Sequence, residues 1–241
     1  ANPEDYTNRG RIITPLKDRY GSQVRTHYPV ELRQEIDIMV QEAADLDLGG
    51  RKLTVPDYMS EVVAEVTHLA RKSPDINQRS GVSVRASVAN YETMLANAFR
   101  RALRLGEDHV VPRISDLPFI VPSFQGKVEF EAMEEGQEDE ITERLLSAAV
   151  KAVFDRRFDI EDLEAIALAF NDGLTVEIGE TATQAEYADI LGSVEGLGGA
   201  IEKLAPSKAE APAAVEFVLE GLHQHKLLNK YAVTGRATYT G

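Results

Sequence analysis

The longest regular pattern of apolar residues in this sequence runs from Val82 to Leu105. Apolar side chains recur there at intervals of three and four, which places them on one face of an α-helix, and Gly106 follows where helices commonly end. A helix of this length has to bury that face against other helices, so the pattern predicts a mainly helical fold. The residues of the face are Val84, Val88, Tyr91, Leu95, Ala98, Phe99 and Ala102.

Similar spacing continues through most of the chain after residue 30. Gly49 and Gly50 are expected to end the first helix, Pro56 to begin the second, and the Ser73-Pro74 pair to end it. The tail from residue 232 is expected to be frayed or extended. Predicted helices therefore occupy about 30–48, 56–72, 82–105, 112–121, 139–155, 160–171, 184–204 and 211–230.

The first 29 residues have a different character, because proline and glycine interrupt them repeatedly. Between Ser22 and Tyr28, the alternation of Val24, Thr26 and Tyr28 with polar residues predicts a β-strand. A strand needs a sheet to join, and the rest of the sequence shows no other clear strand. The sheet is therefore expected to lie outside this chain.

Residues 129–143 are rich in acidic side chains and contain no basic one. Such a run is typical of a solvated loop, here one that leads into a helix. Glu138, Asp139 and Glu140 suit the first turn of that helix because the helix dipole favours negative charge there. The change in composition also indicates a division of the chain near residues 124–136.

The composition argues against several kinds of function. The 241 residues carry a net charge of −14 and contain no cysteine, which excludes thiol chemistry and disulfides and argues against broad binding to nucleic acid. The histidines are scattered, so no metal site is predicted. No apolar run reaches the ~18 residues of a membrane helix, and we expect a cytoplasmic protein without a membrane partner. The phosphate-loop, GxGxxG, HExxH and GxSxG motifs do not occur.

Two stretches place basic residues in a specific setting. The first contains "NPEDYTNRG" (residues 2–10), "LKDRYG" (16–21) and "VRTHYP" (24–29), and the second is "GVSVRASVANYE" (81–92). In their order and spacing these stretches resemble the AAA+ ATPases, and within them the magnesium-chelatase ATPase subunit and its MoxR-like relatives. The resemblance is strongest in residues 1–29 and extends to about residue 123, and no family motif follows residue 124.

The resemblance implies a role for four residues. Asn2 would be sensor 1, which positions the water that attacks the γ-phosphate. Arg19 would be the arginine finger, and Arg85 would be the sensor 2 arginine at the start of the lid helix. Arg9 would contact the nucleotide or a subunit interface. The cofactors implied are ATP and Mg²⁺.

Phosphoryl transfer explains why an arginine would serve at position 19. Negative charge spreads over the γ-phosphate oxygens, and a permanently charged guanidinium from a neighbouring subunit stabilises it. Each residue also has a structural alternative. Arg19 could form a surface ion pair with Asp18 or Asp5, Asn2 could belong to a plain turn, and Arg85 could pair with a carboxylate.

The resemblance also implies an architecture. Residues 1–29 would be the end of an AAA+ α/β core with one strand, residues 30–123 an all-α lid domain, and residues 124–241 a C-terminal helical domain of unknown role. The phosphate loop and the magnesium-binding strand would precede Ala1, so this chain alone is expected to be inactive. The expected partners are other subunits of a ring, as a homohexamer, and a von Willebrand factor A-type protein. The alternative is a non-enzymatic helical module that binds a protein through residues 129–143 and the last helices.

Overall fold

A computed structural model describes residues 18–22, 24, 26–131, 136–205, 207–233 and 235–241. This part of the chain is mainly helical, as the apolar pattern predicts, and contains nine α-helices together with two 3₁₀ helices at Ile114–Ile120 and Ile160–Leu163. The α-helices are α1 Leu32–Glu42, α2 Asp57–Ala70, α3 Val84–Leu105, α4 Val121–Gln125, α5 Gln137–Asp155, α6 Glu164–Asn171, α7 Gln184–Ser193, α8 Leu197–Glu202 and α9 Ala211–Gln224.

The helix predictions agree with the structure where the apolar pattern is long. Helix α3 begins after Ser83, whose hydroxyl accepts a hydrogen bond from the Arg85 backbone N–H, and it ends at Gly106 in a left-handed cap. Glu138, Asp139 and Glu140 lie in the first turn of α5 as predicted. The helix predicted at 184–204 is instead interrupted between α7 and α8, where Gly196 has a positive φ of 82°.

The prediction that almost no strand follows residue 30 is wrong. Strands β1 (Lys52–Leu53) and β2 (His109–Val110) form a parallel pair. Strands β3 (Val176–Ile178), β4 (Asn229–Val233) and β5 (Arg236–Thr240) form an antiparallel sheet in the order β3-β5-β4. The tail expected to be frayed or extended is thus a β-hairpin, in which Gly235 takes a φ of 77° that only glycine adopts readily.

The predicted strand at Ser22–Tyr28 has no pairing partner in the described part of the chain. Residues 22, 24 and 26–28 are irregular there. A strand needs a neighbouring strand to bond to, and the predicted sheet would lie outside this chain, so this strand stays a prediction. Tyr28 instead packs its ring against Arg71, at the end of α2.

One buried apolar cluster runs through the described chain, from Met39 on α1 to Tyr239 on β5. Its centre lies where α2 packs on α5 and α9, and there Tyr58 stacks on Phe217 with ring centroids 4.4 Å apart. The core therefore continues across the predicted division near 124–136, and the functional boundaries at 29 and 123 stay a prediction. In the described residues, no helix combines the length and apolar character needed to cross a membrane.

Candidate functional site

Arg19 lies in an exposed turn formed with Asp18 and Tyr20. Among the described residues its guanidinium forms no hydrogen bond or ion pair, so the alternative pairing with Asp18 is not seen. The other alternative partner, Asp5, lies outside the described residues, as do the predicted site residues Asn2 and Arg9. Arg19 is therefore open to a partner that comes from elsewhere.

Arg85 occupies the first turn of α3, and its side chain is exposed. A positive charge at this end opposes the helix dipole and typically costs about 0.3–1 kcal/mol. The carboxylate that could compensate it is not found among the described residues. Free backbone N–H groups at a helix start favour an anion, and an arginine beside them would add to that preference.

A single side chain connects the segment after Arg19 to the loop before Arg85. Arg71, at the end of α2, donates two hydrogen bonds to the buried Glu35 of α1, at 2.8 Å and 3.0 Å. Its Nε donates to the Val82 carbonyl at 2.9 Å. Its guanidinium carbon lies 4.6 Å from the centre of the Tyr28 ring. Arg71 thus contacts a residue of each segment, Tyr28 after Arg19 and Val82 before Arg85. Arg19 and Arg85 themselves share no described partner.

Buried polar groups of α1, α2 and α3 surround the ion pair between Arg71 and Glu35. Glu35 is fully buried, and it accepts a hydrogen bond from the Ser87 hydroxyl of α3 at 2.6 Å. His68 of α2 lies 3.7 Å from Glu35, and burial lowers the pKa of that imidazole. The interaction of Glu35 with Arg71 therefore ties α1, α2 and α3 together in a place where an unpaired carboxylate would be costly.

A second candidate site is a cavity of about 550 Å³ between α5, α9, the first 3₁₀ helix and the β3-β5-β4 sheet. Two carboxylates one turn apart on α9, Glu216 and Glu220, lie in its wall, and they are only 2% and 5% exposed. A cavity of this size with converging polar groups is typical of a ligand or side-chain site. This cavity was not predicted from the sequence, although the two glutamates inside the apolar run of α9 were a visible signal.

The two carboxylates have different environments. Glu216 accepts hydrogen bonds from the Ser115 backbone N–H at 2.6 Å and from the Tyr187 hydroxyl. Burial raises its pKa, and the positive charge of Arg113 opposes that effect only in part. Burial would also raise the pKa of Glu220, but Lys230 at 2.7 Å and further hydrogen bonds lower it overall. The two environments therefore move the pKa values of these neighbouring carboxyl groups in opposite directions.

Among the described residues, no group of three histidine or acidic side chains is arranged to bind a metal ion. No protein-family model matches this sequence, and neither curated proteins nor solved structures give a significant match.

Proposed function

We propose that this chain supplies the arginine finger, the sensor residues and the lid of a ring-forming AAA+ ATPase of the magnesium-chelatase and MoxR-like group. The observation that supports the proposal most directly is the pair of exposed arginines, Arg19 and Arg85. Neither has a described protein partner, and both stand in the sequence setting that the family would require. Both are therefore available to a triphosphate.

Arg19 would reach the γ-phosphate of ATP bound by the neighbouring subunit. The guanidinium would offset the charge that spreads over the phosphate oxygens during transfer, without itself taking or giving a proton. Arg85 would contact the nucleotide from the start of α3, so that the lid helices respond to its state. Asn2 would position the attacking water, and Arg9 would add a phosphate or interface contact.

The Mg²⁺ that accompanies ATP would be held by residues of the phosphate-loop half together with the phosphates. In this proposal the phosphate loop and the magnesium ligands belong to a preceding segment or another chain. ATP hydrolysis by the homohexamer would remodel a partner, for which a von Willebrand factor A-type protein is the candidate.

The test is Arg19→Ala in the protein that joins this chain to the phosphate-loop half. Loss of an arginine finger typically lowers turnover by about 10³–10⁵-fold, and binding of a fluorescent ATP analogue should be unchanged. Arg33→Ala is the matched control, because Arg33 is an exposed arginine and, among the described residues, its ion pair is with Asp37 on its own helix. Unchanged turnover, or loss of nucleotide binding, would contradict the assignment of Arg19.

The cavity favours a second candidate, a non-enzymatic module that binds a protein. Glu143 from the acidic stretch, α9 from the C-terminal region and Ala237 of the hairpin all line it. These are the parts of the chain that the alternative prediction assigns to binding, so the cavity could accept one side chain of a partner. This function would need no nucleotide.

Filling the cavity separates the two candidates. In the module, Ala237→Phe should weaken binding of its protein partner by about tenfold or more, as loss of a central contact does. Arg19→Ala and ATP should have no effect on that affinity, measured by isothermal titration calorimetry. Leu168→Phe, at an exposed position of α6, is the control. Equal affinity of the two phenylalanine variants would rule out the cavity as the binding site.

A further inference from the structure

We propose that Arg71 is a positioning residue that fixes residues 26–30 against the start of α3, so that the segment of Arg19 and the helix of Arg85 move together. The consequence for catalysis rests on the proposed ATPase function. The contact itself does not, and the two parts are tested separately below.

The side chain of Arg71 uses each part of its guanidinium for a different element. The two terminal nitrogens bind both oxygens of Glu35 on α1, and Nε binds the Val82 carbonyl two residues before α3. The flat face of the group remains for the Tyr28 ring, at 4.6 Å. A lysine could not make these contacts together, because it has neither the planar fork nor a face that stacks.

The helix side of this contact is fixed independently of Tyr28. The Arg71 side chain is only 12% exposed, and its partner Glu35 is fully buried. Tyr28, in contrast, is 45% exposed and belongs to an irregular segment. Changing Tyr28 should therefore release the segment and leave the helices folded.

Gly81 shows that Tyr28 is closely fitted to its position. The Tyr28 hydroxyl occupies the space where a Cβ on residue 81 would lie, and Gly81 has a φ of +69°. Only glycine combines that backbone conformation with room for the ring. The tyrosine thus contacts both the residue that ends α2 and the loop that begins α3.

Another arginine provides a matched comparison. Arg157, after α5, binds both oxygens of Glu61 at 2.9 Å and 2.6 Å, and its guanidinium lies 5.9 Å from the Tyr58 ring. It has the same kind of carboxylate fork and aromatic neighbour, but it contacts neither residues 26–30 nor α3. Arg157→Lys therefore reproduces the chemical change at Arg71 without affecting the proposed contact.

The contact can be measured without any assay of ATP. The chain has no tryptophan, so Tyr28→Trp introduces a single tryptophan at the stacking position, and its fluorescence can be excited separately from that of the tyrosines. In that background, Arg71→Lys should raise the acrylamide quenching constant about twofold or more, because the indole loses the flat guanidinium face on which it stacks and gains exposure. Arg157→Lys should leave the constant unchanged. Equal quenching in both variants would overturn the proposal.

The catalytic consequence is tested in the complete protein with variants of Tyr28. Tyr28→Leu should lower kcat about tenfold with little change in the Kd for nucleotide, because the positioning of Arg19 is lost rather than the binding site. Tyr28→Phe keeps the ring and should restore most of kcat.

The possible outcomes are distinct. If Arg19→Ala removes turnover but Tyr28→Leu turns over like the wild type, the positioning role is wrong and the ATPase proposal stands. If the complete protein shows no ATPase activity, the proposed function fails, and the quenching comparison alone decides whether Arg71 fixes the segment.

Discussion

At the scale of single residues, Arg85 combines a cost in stability with the proposed function. Its charge opposes the dipole at the start of α3, so Arg85→Ala should raise the free energy of unfolding by about 0.3–1 kcal/mol. The same change should weaken nucleotide binding in the complete protein roughly tenfold, because a charge-assisted contact to phosphate is lost. Urea denaturation and titration of a fluorescent ATP analogue measure the two effects.

Arg104 gives the control on the same helix. It lies in the last turn of α3, where positive charge is favourable, and its guanidinium contacts Glu180 at 2.6 Å. Arg104→Ala should therefore lower stability slightly and leave nucleotide affinity unchanged. If Arg85→Ala behaved like Arg104→Ala in both measurements, Arg85 would be a structural residue.

Glu216 should give the stability of the protein a measurable dependence on pH. Burial raises its pKa above the ordinary 4.5, so the folded state holds this proton more tightly than the unfolded state. The contribution of Glu216 to the free energy of unfolding is therefore lost as pH rises through its pKa in the folded state. Because Glu216→Gln does not titrate, the wild type should lose stability relative to that variant as pH rises from 4.5 towards neutral, measured by urea unfolding.

Glu186 is the comparison with the opposite sign. Hydrogen bonds from the Thr183 backbone and hydroxyl, followed by Arg236, lower its pKa to about 2. Its contribution is present above pH 4.5 and is lost as pH falls towards 2. The wild type should therefore lose stability relative to Glu186→Gln on acidification. Parallel pH profiles for the two glutamine variants would show that the environment of Glu216 is not as described.

At the scale of elements, local pattern predicted the helices and failed for the sheet. The apolar faces of α2, α3 and α5 repeat at helical spacing for three turns or more, so sequence alone located them. The helix predicted at 211–230 ends at Gln224 instead. Lys226, just after its end, takes a positive φ of 62°. Lysine gives no local signal for that conformation.

Long-range contacts account for what sequence could not predict about the candidate site. The settings of Arg19 and Arg85 are continuous stretches of sequence, so a resemblance could propose them, and their roles stay a prediction. The role of Arg71 depends on Glu35, Val82 and Tyr28, which are far from it in sequence and meet only after α1, α2 and α3 have packed. The raised pKa of Glu216 likewise depends on its burial, which was not predicted.

At the scale of the whole molecule, the helices on either side of residues 124–136 depend on each other. Helix α2 packs along α5, where Glu61 and Arg157 form a two-pronged ion pair at 2.6 Å and 2.9 Å. Tyr58 of α2 and Phe154 of α5 both contact Phe217 of α9. Because each region covers apolar surface of the other, neither keeps a complete core alone.

This shared core predicts that the described chain unfolds as one unit. Two single-tryptophan variants report on the two regions. Phe119→Trp lies before residue 124, and Tyr231→Trp lies on β4. The native side chains at these positions are 39% and 62% exposed, respectively. Their urea transitions, followed by fluorescence, should have the same midpoint and agree with circular dichroism, because a cooperative core opens in a single step. Circular dichroism of each variant in buffer controls for damage by the substitution. Separate midpoints would show that the chain divides into independently stable parts, and the predicted boundary near 124–136 would then mark a physical division as well as a change in composition.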